Sequence, residues 1–294
     1  MPHFFLPIMF VAMLCIASSA FAQEFRVVAI DEMPGRTMSA DLFATADQDA
    51  VRRYMPDGTA PASVTTFVMF AGDDIVLFDT GLGNELWEQK LTALLNEQGG
   101  AKPENVKLIL LTHTHSDHIG GLMKSNERRF HNATIRLSYM ELEHWMPLVF
   151  LSRDTTEERR RQGAPYHIWD AYTVETFRFG DVVFENALVK VTAKDASGHT
   201  PGHTVFLIEP KQEGQERLLI VGDLLHAAAL QFPLPEACAR FDIDMPKAIS
   251  ARKRILDFAA EEKILIGGMH FPPPHFGTVR KEGSGYVFEL KEKE

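Results

Sequence analysis

Short, nearly unbroken apolar runs recur along the chain, each closed by turn-forming residues: Val64–Phe70, Ile75–Phe78, Val106–Leu111, Leu188–Thr192, Thr204–Ile208 and Leu218–Val221. Runs of this length, rich in β-branched residues and leucine, predict strands buried on both faces. Ala71-Gly72-Asp73-Asp74 predicts a tight hairpin between the first two. Helical spacing marks Asn84–Asn96, Tyr139–Trp145 and Pro246–Ala260. In the last, Pro246 suits a first turn, and Ile249, Ile255, Leu256 and Phe258 fall at roughly helical intervals. Strands and helices mixed in this way predict an α/β protein. Periodicity says no more than that.

The N-terminus breaks the pattern. Phe4 to Ala20 is almost wholly apolar, and Ala20-Phe21-Ala22 is a small-x-small cleavage site before Gln23. The expectation is a signal peptide over 1–22, with 23–294 as a single exported, periplasmic domain. Pro7 interrupts the run, which is short for a retained membrane span. No Lys or Arg precedes it, an atypical feature that leaves an uncleaved anchor as the alternative. Leu14 before Cys15 argues against a lipidated cysteine. Cleavage would leave Cys238 alone, so no internal disulfide is available and the core must hold the fold. The formal net charge is −10, and no basic cluster interrupts it. This argues against nucleic acid as a partner. The expected partner is a small-molecule substrate, with no stable membrane association after cleavage and with a homodimer allowed.

Chemistry concentrates at one place. Leu-Thr-His-Thr-His-Ser-Asp-His-Ile-Gly-Gly spans 111–121 and places His113, His115, Asp117 and His118 within six residues, directly after a predicted strand. His113 and His115 alternate by two and can share one ion. Asp117 and His118 are offset, which suits a second. Imidazole and carboxylate without thiolate favour zinc or a similar divalent metal. Burying such a set without a metal would leave several polar groups to desolvate, each at a cost of order a few kcal/mol.

His113-x-His115-x-Asp117-His118 resembles the signature of the metallo-β-lactamase-fold hydrolases. Asp79-Thr80-Gly81, Gly198-His199-Thr200-Pro201-Gly202-His203, Val221-Gly222-Asp223 and His270 after Gly267-Gly268 follow the family's order. Gly222–Ala228 and Met269–Pro274 are similar, more narrowly, to the branch of methyl parathion hydrolase and secreted lactonases. The resemblance implies an αββα sandwich, two mixed β-sheets flanked by helices. It also implies two divalent metal ions, zinc by preference. His113, His115 and His199 would hold one, Asp117, His118 and His270 the other, and Asp223 would bridge them. A metal-bridging hydroxide would attack, with Asp117 orienting it and carrying a proton. His203 is assigned to packing beside the site, and His270 is preferred over His275 as the last ligand. Asp79 is expected to fix a ligand histidine or simply to form a turn. His226 is expected to face substrate or to pack. The 148–172 segment, with Phe150, Tyr166, Trp169 and Tyr172, is a pocket cap or a helical excursion.

The expected reaction is hydrolysis of lactones or carboxyl esters, with phosphotriesters as the alternative. A β-lactamase is disfavoured because those relatives lack the bridging aspartate that Asp223 supplies. A glyoxalase II-like thioesterase is disfavoured by the short stretch after His270. A non-catalytic metal-binding protein and a di-iron oxidoreductase are the remaining, weaker readings.

Overall fold

The computed structural model describes residues 25–125, 127–151 and 166–291. The segment read as a signal peptide lies outside them.

Six strands form a first sheet in sequence order: β1 (Phe25–Asp31), β2 (Thr65–Ala71), β3 (Asp74–Phe78), β4 (Leu108–Leu110), β5 (Thr134–Ser138) and β6 (Thr173–Phe177). Seven more form a second, again in order: β7 (Val182–Glu185), β8 (Val189–Asp195), β9 (Thr204–Pro210), β10 (Leu218–Ile220), β11 (Leu265–Gly267), β12 (Phe276–Glu282) and β13 (Gly285–Leu290). Both sheets are mixed. β2 and β3 pair antiparallel through the Gly72 turn, where φ is +64°, while β3, β4, β5 and β6 run parallel. In the second sheet only β10 and β11 are parallel.

The continuous apolar runs have a simple cause. Strand side chains alternate between faces, and both faces here are covered. Phe67, Met69, Val76, Phe78, Leu108 and Leu110 point into the layer between the sheets, where they meet Phe206, Ile208, Leu218 and Ile220. Their neighbours Val68, Phe70, Ile75, Leu77 and Ile109 point outward under helix α1 (Glu85–Glu97), which contributes Trp87, Leu91, Leu94 and Leu95. On the far side Val205, Leu207, Leu219 and Val221 pack under α3 (Met245–Glu261) through Ala251, Ile255, Leu256 and Ala259. The molecule is an αββα sandwich. A further helix, α2 (Tyr139–Leu151), follows β5 and runs past the predicted end at Trp145.

Residues 152–165 of the 148–172 segment lie outside the described residues. Trp169 and Tyr172 pack on the outer core beside α1, and the Tyr172 hydroxyl donates to Leu122 O at 2.6 Å. These two aromatics are scaffold and do not line the site cavity.

Candidate metal centre

The ends of β3, β4, β8, β10 and β11 meet at one rim of the sandwich. Asp79, the first residue after β3, takes a left-handed φ of +58°. Its carboxylate faces the next loop: Oδ1 accepts from Thr112 N at 2.8 Å, and Oδ2 from Thr112 Oγ1 at 2.7 Å and His118 Nδ1 at 2.6 Å. A carboxylate partner draws the His118 proton onto Nδ1 and leaves a lone pair on Nε2.

The same logic fixes the other rings. Thr112 Oγ1 spends its proton on Asp79, so it accepts from His113 Nδ1 at 3.1 Å. His199 Nδ1 donates to Asp242 at 2.9 Å, and His270 Nδ1 donates to the Ser63 carbonyl at 2.8 Å. Each of these three rings therefore presents an Nε2 lone pair inward. His115 presents Nδ1, which lies 3.0 Å from His113 Nε2 and 2.9 Å from His199 Nε2. One proton cannot serve both neighbours. Lone pairs crowded in this way suit a shared cation.

Two groups of donors divide the loop ligands. His113, His115, His199 and Asp223 form one, and Asp117, His118 and His270 the other, with the donor atoms of each group within 4.8 Å of one another; His226 gathers two further groups, with His199 and Asp242 and with Asp223 and His270. Asp223 lies between the first two. Its Oδ1 is 3.0 Å from His118 Nε2 and 3.1 Å from His270 Nε2, and its Oδ2 is 3.3 Å from His199 Nε2. His118 Nε2 and Asp223 Oδ1 are buried and have no aligned hydrogen-bond partner despite their closeness. They are aimed at a common point and not at each other. Buried polar atoms left in that state suit a bound cation, and the imidazole and carboxylate donors present fit a divalent metal.

Electrostatics divides the cluster. Burial pushes His199 down to about 3 and His115 down to about 4, and holds His113 well below the usual imidazole range. Neutral imidazole is the ligating form. Burial also lowers His118 and His270, but Asp223, with Asp117 and for His118 also Asp79, outweighs it and raises both. This end of the cluster has the stronger pull on positive charge.

His203 and His275 stand apart. His203 Nδ1 donates to Ala196 O at 3.1 Å and its Nε2 accepts the Asp223 amide at 3.0 Å, so both nitrogens are engaged and the ring props the Asp223 turn. His275 Nδ1 donates to Phe271 O at 2.9 Å, away from the donor groups. His226 is buried, stacks on His270 at 5.5 Å, and brings Nε2 within 3.2 Å of Asp223 Oδ2. Neither of its ring nitrogens has a hydrogen-bond partner.

Beside the cluster opens a cavity of about 910 Å³. Trp145 forms part of its wall, edge-on to His115 at 5.9 Å, and Leu82, His144 and Phe241 complete that side.

The chain-wide comparison agrees with this geometry. The family model described as the metallo-beta-lactamase superfamily matches residues 59–268. This chain belongs to the metallo-beta-lactamase superfamily. As a superfamily hydrolase it superposes on the solved structure of hydrolase AbOPH with a TM-score of 0.74 and 25% identity, covering 93% of this chain and 97% of that one. The dizinc quorum-quenching lactonase AidC, solved with its product N-hexanoyl-L-homoserine, shares the fold at TM-score 0.75 and 22% identity, over 92% and 96% of the two chains. An atrochrysone carboxyl ACP thioesterase of Passalora fulva is 31% identical over 160 residues, or 54% of this chain. The match spans only 37% of that thioesterase's length.

Several residues that organise the superfamily site carry no short-range signal in the sequence. Glu141 on α2 is fully buried and accepts from Thr114 N, Thr114 Oγ1 and Trp145 Nε1 through Oε1, and from Thr200 Oγ1 and Gly202 N through Oε2. A Cβ at Gly202 would run into the Glu141 backbone, so glycine permits the approach. Asp242 holds His199 and is itself met by Arg252 Nη2 at 3.4 Å. Gln231 Oε1 accepts the amides of His226 and Ala227. Only Arg252, a charge on the buried stripe of a helix, was open to notice beforehand.

Proposed function

We propose that this chain is a dinuclear metal-dependent hydrolase of lactones or carboxyl esters. His113, His115 and His199 hold one divalent cation, Asp117, His118 and His270 the other, and Asp223 contacts both. The observation that carries the reading is the gathering of imidazole and carboxylate donor atoms into two groups on either side of Asp223, at the edge of a cavity large enough for a small organic substrate. A donor set of imidazole and carboxylate without thiolate suits zinc. Two such cations, when bound, polarise the scissile oxygen and lower the pKa of water to about 7.

The side chains do the rest. Asp117 lines the cavity with its carboxylate a quarter exposed. Burial raises it, but His118 and His270 outweigh that and keep it ionised. It is placed to orient the attacking oxygen and to carry its proton toward the leaving group. His226 faces the same space and offers a ring nitrogen to the substrate. Trp145 and Phe241 exclude water from the acyl portion. A cysteine nucleophile is disfavoured: Cys238 lies outside the cavity lining, and burial pushes its thiol up to about 11. Phosphotriesters remain the second substrate class, since the same oxygen-polarising floor accepts a phosphoryl group.

Elemental analysis of the purified protein, joined to a panel of lactones, aryl esters and phosphotriesters, tests the reading. Two metals per chain are expected, and Asp223→Ala should lower metal content as well as rate. A single firmly bound metal in fully active protein would overturn the dinuclear assignment. Faster turnover of phosphotriesters than of any lactone or ester would reverse the substrate ranking.

A further inference from the structure

Two cationic side chains line the cavity and have no part in the chemistry above. Arg36 sits in the turn after β1, and Arg240 in the loop that leads to Asp242. Their segments adjoin: the Arg240 amide donates to Leu42 O at 2.8 Å, and Leu42 lines the same wall. Among the described residues neither guanidinium forms an ion pair. Arg36 reaches only the Met33 sulfur, at 3.2 Å, and its Nε is buried with no partner. Arg240 lies over the Phe241 ring at 5.4 Å. The two carboxylates at the cavity, Asp117 and Asp223, are both within the donor groups.

This is an unusual place for unpaired positive charge. The chain as a whole carries −10 and repels anions at a distance. A guanidinium is charged at any working pH and is built to receive an oxyanion through two parallel N–H bonds. Apolar surface lines the same cavity: Phe241, beneath Arg240, is 43% exposed and Ile243 52%. A ligand matched to this wall is apolar along its length and negatively charged at one end.

Resting on the hydrolase reading, we propose that the substrate is an ester or lactone with a carboxylate distant from its scissile bond, and that Arg36 and Arg240 receive that carboxylate. The arginines set specificity and leave the acyl-transfer chemistry to the cluster.

A matched pair of substrates tests this: the p-nitrophenyl monoester of glutaric acid and p-nitrophenyl pentanoate. At low ionic strength the wild type should favour the charged ester about tenfold in kcat/KM, the scale of one partly solvated charge-assisted contact. In the double variant Arg36→Met/Arg240→Met the preference should fall to about one, while the neutral ester moves less than about twofold and metal content is unchanged. High salt should compress the wild-type preference. Calorimetric binding of non-hydrolysable ether analogues of the same pair reads the arginines without turnover. Equal turnover and equal binding of the two by the wild type, or equal losses on both in the variant, would overturn the assignment. If neither ester is hydrolysed but the arginine-dependent binding difference persists, the hydrolase reading fails and the anion site stands.

Discussion

At the scale of single residues, the sequence told most where chemistry is dense and least where one ring must be told from another. Gly-His-Thr-Pro-Gly-His offers two histidines, and only the structure shows His203 spending both nitrogens on the backbone while His199 keeps one free. His270 and His275 separate by position, since His275 lies outside the donor groups that include His270. Cys238 offers a residue whose behaviour can be read without any metal. Burial moves its thiol from 9.0 up to about 11, so the folded chain holds the proton over a range where the unfolded chain releases it. The contribution to stability is therefore complete below about pH 9 and is lost as pH rises from 9 toward 11. A tenfold weakening of an acid on folding corresponds to about 1.4 kcal/mol. Because the thiol is shielded incompletely, about 1–2 kcal/mol is the expected loss. Urea denaturation from pH 8 to 11 should show a steeper alkaline decline for the wild type than for Cys238→Ser. The variant should keep nearly full hydrolase activity at neutral pH. Parallel declines would mean that the thiol titrates normally and is not shielded.

At the scale of elements, α2 does something its sequence does not advertise. It lowers a single carboxylate, Glu141, between the loop that carries His113 and His115 and the loop that carries His199, and ties both to the cavity wall at Trp145. Burial raises this carboxyl against the pull of Thr200, Trp145 and Thr114. Glu141→Gln keeps the shape but turns one acceptor into a donor that must face other donors. A buried mismatch of that kind costs about 2–3 kcal/mol, or roughly 5–10 °C in Tm for a chain of this size. Zinc affinity should fall along with it, because both loops lose their common anchor. A variant with normal Tm and normal zinc affinity would show that the two loops hold themselves. Most predicted strands were legible because they are apolar on both faces, β8 by its one apolar face of Val189, Val191 and Ala193, and β2, β3, β8, β9 and β10 fall within a few residues of their predicted places. β1, β5, β6, β7 and the β12–β13 hairpin were missed. Charged residues such as Arg26, Arg136, Glu175, Arg280 and Lys281 interrupt these strands, and a half-solvated strand lacks the run that marks a fully buried one. The cavity wall was missed for a different reason. It is assembled from the 36–42 segment and the 240–243 loop, far apart in sequence and without periodicity.

At the scale of the whole molecule, the site is a junction between the two sheets. His113, His115, Asp117 and His118 leave β4 of the first sheet, whereas His199, Asp223 and His270 follow β8, β10 and β11 of the second. Each proposed cation therefore draws ligands from both halves of the sandwich, and Asp223 couples the two ions. A ligand that binds only the folded state stabilises it by RT ln(1 + [L]/Kd), about 2.7 kcal/mol per site at a hundredfold excess over Kd. Two filled sites at or above that excess should supply at least about 5 kcal/mol. Chelation should then lower Tm by on the order of 10–20 °C. Hydrogen exchange should accelerate first at the strand ends near Thr112 and Val221, while the opposite end of the sandwich, at the Gly72 hairpin, keeps its protection. Restoring zinc should reverse both changes. Were the chelated protein to melt at the same temperature as the loaded one, the cluster could not be joining the sheets. The interlayer core of Phe67, Phe78 and Phe206 would then be the whole of what holds them together.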